Sequence, residues 1–221
     1  RHIWRIAEFQ LGLRRQARND MIHRLYKHSL NHATVNSPEA VESAPESIGA
    51  LPVWDLSDLY SDMHSPTLAH DLAAAKSKAL DFETKWKGRL SAEAAKSGGG
   101  SLLQSIRAYE ALEELMGKVI SYASLIYAED SLKPENAKLY GDIQEHLTDA
   151  SAHLLFYTLE LNHVADHDIE TAMAANPELA HYRPWVEDLR KDKPYQLDEK
   201  TEQLFLEKAM TGRSAWNRLF D

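Results

Sequence analysis

Cysteine is absent from the 221-residue chain. That removes disulfides, thiolate metal sites and cysteine nucleophiles together, and it suits a cytoplasmic protein. No apolar run approaches the roughly 18 residues that a membrane-spanning helix needs, so no membrane partner is expected. Basic residues are in the minority, with 25 Lys+Arg against 34 Asp+Glu and a formal net charge of −9. An acidic balance of that size argues against nucleic acid or an anionic membrane as partner of the main body. Val and Ile are sparse, and no short alternating run bounded by turns stands out, which leaves little material for a sheet. None of the 11 His is followed by Glu, so the H-E-x-x-H zinc motif is missing.

What remains is ordinary globular composition, 43% hydrophobic and 27% charged, in a chain long enough for one or two domains. The charge is unevenly spread. Residues 1–32 hold seven basic residues against Glu8 and Asp20, a net of +5, so the other 189 carry −14. This stretch reads either as an amphipathic targeting helix, with Ile3, Trp4, Ile6, Phe9, Leu11 and Leu13 between arginines, or as an extension without function. Glu8 and Asp20 count against a transit peptide, and no apolar core of a signal peptide is present. From Asn31 to Leu51 the composition is that of a linker, with Pro38 and Pro45 and few large apolar residues. The expected organisation is therefore a basic extension and linker over 1–50 and a folded domain over 51–221.

Within that domain the periodicity is helical. Ser65-Pro66 reads as an N-cap with Pro at the first helical position. Leu68, Leu72, Ala75, Ala79, Phe82 and Trp86 then recur at three- and four-residue spacing. Ser97–Ser101, with three glycines, reads as a flexible connector and lacks the Lys-Ser/Thr of a phosphate loop. A second helix is expected over Leu102–Ala128, with Gly117 inside it as a close-packing site. A third runs from Pro134 to Asn162, and shorter helices cover 169–175, 181–191 and 198–210. Ser214 looks like the cap of a last helix carrying Trp216, Leu219 and Phe220. The fold class is all-α, with long antiparallel helices in a bundle-like arrangement. The apolar stripe still under construction at Asp221 suggests a polypeptide cut in mid-architecture, open to self-association.

Chemistry is hard to find. His28/His32 and His163/His167 have the i,i+4 spacing that puts two imidazoles on one helix face, with Asp166 or Asp168 available as an oxygen ligand. The second pair sits at an expected helix end without a third ligand or a general base, so exposed turn residues are the expectation. Glu110, Glu113 and Glu114, and the run Arg190-Lys191-Asp192-Lys193, read as solvated helix faces and ends. No catalytic, cofactor-binding or metal-binding residue is assigned.

Several segments, taken in order, resemble the oligoendopeptidase F family of zinc metallopeptidases related to thimet oligopeptidase. Leu51-Pro52-Val53-Trp54-Asp55-Leu56-Ser57-Asp58-Leu59-Tyr60 is similar to the family's opening, and Tyr122–Ala128 to its Ser-Tyr-Ala segment. Leu154–Asn162, Tyr182-Arg183-Pro184-Trp185 and Leu189–Leu197 follow, and Thr211–Asp221 is the most specific. The resemblance implies a peptidase that cleaves short peptides in a channel between helical halves. Zinc is held there by the two His of H-E-x-x-H and a downstream Glu. None of those ligands can be placed on this sequence. The matched part corresponds to the N-terminal helical portion, which forms one channel wall, so the chain by itself is expected to be inactive and to hold no zinc. The alternative is a helical peptide-binding or interaction module from a truncated gene, without catalysis.

Overall fold

The computed structural model describes residues 55–96 and 98–220. The extension and linker over 1–50, the start at Leu51 and the His28/His32 pair lie outside the described residues. Among the described residues every regular element is helical, as the periodicity predicts.

Helix α1 spans Pro66–Trp86 and opens on Pro66, where the missing N–H has no intrahelical partner to lose. Ser65 stands at its N-cap position, but its hydroxyl pairs with Thr67 Oγ1 at 2.6 Å and caps no backbone N–H. After the short α2, Leu90–Ala94, helix α3 runs over Gly100–Glu129, about 45 Å of axis. Of the glycines before it, Gly99 is tightly placed. Gly99 is buried with φ +61°, and a Cβ there would lie 2.8 Å from the Ala172 carbonyl oxygen and 2.8 Å from Leu179 Cδ2. Only glycine allows that turn and that approach. Gly117 corrects the opposite expectation: a Cβ on it would meet nothing within 4 Å, so it is an open position in a helix interior.

The single helix expected over Pro134–Asn162 is two. Helix α4 covers Pro134–Ala152 and α5 covers Leu155–His163. Between them the N–H groups of His153 and Leu154 reach the carbonyls of Ala150 and Ser151, three residues back, which tightens the turn and redirects the chain. No Pro or Gly marks the break. It turns Phe156 and Tyr157 into the core, and burial of those rings overrides a locally continuous helical pattern. Helices α6 (Asp166–Ala175), α7 (Pro177–Ala180) and α8 (Arg183–Arg190) follow, then a 3₁₀ turn at Lys193–Tyr195. Asn176 caps α7, its Oδ1 accepting from the N–H groups of Glu178 and Leu179.

Helices α1, α3 and α4 pack against one another, and α2 lies on α3, α5 and α6. Their shared interior is aromatic. Phe82 of α1 sits 5.1 Å from Tyr157 and 5.9 Å from Phe156, and Tyr109 of α3 stacks on Tyr157 at 4.7 Å. The last two helices, α9 (Glu199–Thr211) and α10 (Arg213–Phe220), pack on each other, and α9 also touches α4 and α5. Helix α10 begins at Arg213, so Ser214 lies inside its first turn and is not its cap. Gly212 makes the corner, donating its N–H to the Lys208 carbonyl at 2.8 Å.

Candidate functional site

The His163/His167 pair does not share a helix face. His163 ends α5, Val164 and Ala165 break the chain, and His167 lies in the first turn of α6. His163 Nδ1 lies 2.7 Å from the Leu159 carbonyl oxygen of its own helix. Asp166 accepts instead from Arg190 at 2.7 Å. Among the described residues no group of three or more His, Asp or Glu side chains stands close enough together to hold a metal ion.

The three glutamates of α3 are not one solvated face. Glu110 accepts from the Tyr182 hydroxyl at 2.7 Å, tying α3 to the turn before α8. Glu113 is partly buried beside Tyr109, one helical turn earlier, and burial pushes its carboxyl above the usual range against the lowering effect of the Tyr109 hydrogen bond. Burial and the Glu113 carboxylate together raise the Tyr109 phenol well above its ordinary value. Deeper in, the Ser105 hydroxyl donates to the Leu102 carbonyl at 2.8 Å, which leaves Tyr157 to donate to Ser105 at 2.9 Å. Burial raises the Tyr157 phenol as well. Trp185 of α8 closes the cluster, 6.1 Å from Tyr109. Such a seam is fit for positioning helices, with its phenols held in the neutral form by burial.

Arg190 is likewise not a solvated end. Its guanidinium side chain is 13% exposed and donates to the carbonyls of Leu161 and Val164 and to Asp166. It therefore satisfies the C-terminal carbonyls of α5, which otherwise lack partners. Gln196 adds to this, donating to the Leu159 carbonyl at 3.2 Å and accepting from Asn162 at 3.0 Å. A groove of about 320 Å³ beside Arg190, between α6 and α8, has Ile169, Met173 and Val186 in its lining. Its charges are spent on one another, Arg183 on Glu170 and Arg190 on Asp166.

The segments that carry the family resemblance thus meet as packing partners. Tyr60 of the opening segment stands edge-on to Tyr122 at 5.2 Å, with Lys118 Nζ 4.2 Å above its ring and its hydroxyl donating to Asp71 at 3.0 Å. Leu161 and Asn162 are held by Arg190 and Gln196 of the later segments. The feature left over is apolar. Phe205 is 61% exposed, Trp216 62% and Leu219 71%, and Tyr195, Leu197 and Leu204 are exposed with them. Sequence spacing marked Trp216 and Leu219 as such a stripe; Leu204 and Phe205 were missed, because their neighbours gave no sign that α9 buries nothing.

An all-α scaffold with an internal aromatic seam and exposed apolar side chains on its last two helices is the class of protein the structure defines. A family model described as oligopeptidase F, for that family's N-terminal domain, matches residues 160–221. Over that stretch the chain is similar to the N-terminal domain of the family that its motifs resemble. No curated protein and no solved structure matches the chain. Among the described residues no helix is long and apolar enough to cross a membrane.

Proposed function

We propose that this chain is the N-terminal helical part of a zinc-dependent, cytoplasmic oligoendopeptidase that hydrolyses short peptides. The observation that carries the reading is the coincidence of two things on one segment. The family match covers 160–221, and the same stretch carries the exposed apolar side chains Tyr195, Leu204, Phe205, Trp216 and Leu219. Three or more large side chains left in water forgo about 1.5–3 kcal/mol each, a strong incentive for a covering partner. In this reading the partner is the catalytic region, which brings the H-E-x-x-H motif, its zinc and the water-activating glutamate. The helical scaffold supplies a wall of the peptide channel, held rigid by the Tyr109–Tyr157 seam.

The test is peptide hydrolysis with an internally quenched fluorogenic peptide. The chain alone should show no turnover and retain no zinc. Joined to an H-E-x-x-H-bearing region encoded downstream, it should cleave the peptide and lose activity to a chelator. Turnover by the chain alone, or a reading frame that continues without that motif, overturns the proposal. Peptide binding without turnover in the latter case favours the interaction module, for which the same exposed side chains are the supporting feature.

A further inference from the structure

We draw no further inference here: the strongest candidate, the groove between α6 and α8 with Ile169, Met173 and Val186 in its lining, has rim charges that pair with one another, and nothing in the structure shows what covers it.

Discussion

The seam between α1, α3 and α5 and the pair α9–α10 are built from the same kinds of residue and end in opposite states. Phe82, Phe156 and Tyr157 are almost wholly buried, whereas Phe205 and Trp216 stand mostly in water. Helical spacing is equally good in both. What differs is the number of faces available to cover the stripe. In the seam, three helices and the α8 tryptophan converge on Tyr157 and Tyr109. The pair α9–α10 has its own second helix on one side and half-covered contacts of α9 with α4 and α5 on the other. Amphipathic periodicity shows that a face wants covering, but not whether the covering is present.

The largest effect that separates the two regions is deletion of a ring. Phe82→Ala should lower unfolding free energy by about 3–5 kcal/mol, because four aromatic neighbours lose their partner and cannot all collapse into the space. Phe205→Ala, an equal loss of atoms, should change it by under about 0.5 kcal/mol. Urea denaturation of both variants checks the contrast, and a similar loss for the two would erase the distinction between the seam and the pair α9–α10. Next in size is a matched pair of glycine substitutions in one helix. Gly99→Ala must hold a left-handed turn and push against the Ala172 carbonyl, so a loss of about 3 kcal/mol is expected. Gly117→Ala meets empty space in a helix interior and should gain about 0.5–1 kcal/mol. A loss at Gly117 would mean that α3 is more tightly packed at its middle than the geometry shows.

The helical class and most helix starts were legible because each rests on a local signal. Pro66 and Pro134 open α1 and α4, and Asp198 caps α9. Three things were not legible, for one reason: they are decided by partners far along the chain. The α4–α5 break follows from burial of Phe156 and Tyr157, and the tightness at Gly99 from Ala172 and Leu179. The Glu113 carboxyl and the Arg190 guanidinium sit inside charged runs whose sequence looks solvated, and only the fold brings Tyr109 or the α5 carbonyls to them. That Tyr60 and Tyr122 touch could not be read from the sequence either, although both lay in motifs singled out beforehand.

Glu113 gives a smaller and pH-dependent difference between the seam and the surface. Its pKa is raised in the folded chain, so the unfolded state gives up the proton first. Stability is then greatest below the ordinary glutamate range and falls as pH rises through that range to the folded value, after which it levels. Glu83 behaves oppositely. Its carboxyl is lowered because the Lys87 and His153 hydrogen bonds outweigh the opposing effect of desolvation. Its contribution is present above the ordinary range and fades as pH falls. Glu113→Gln should therefore remove the descending part of the stability–pH curve and leave a more stable protein at pH 7. Glu83→Gln should remove part of the acid-side loss. Thermal melts from pH 4 to pH 8 distinguish the two; identical curves for wild type and Glu113→Gln would show that this carboxyl is solvated in the folded chain.

The smallest effect on stability is expected where the side chain is largest. Trp216 makes its exposed face on α10, which packs chiefly on α9, so Trp216→Ser takes little apolar area out of the interior. The change in unfolding free energy should stay within about 0.5 kcal/mol. Association is another matter, because the same substitution removes a large exposed ring from a pair of helices that also exposes Phe205 and Leu219. Exposed apolar surface drives contact between copies when nothing else covers it. Sedimentation velocity over a concentration series should therefore show the wild-type chain self-associating and Trp216→Ser, alone or with Leu219→Ser, shifting towards monomer at unchanged melting temperature. A wild-type chain that stays monomeric throughout, or a Trp216→Ser variant that melts several degrees lower, would mean that the ring is already covered and that the pair α9–α10 belongs with the seam.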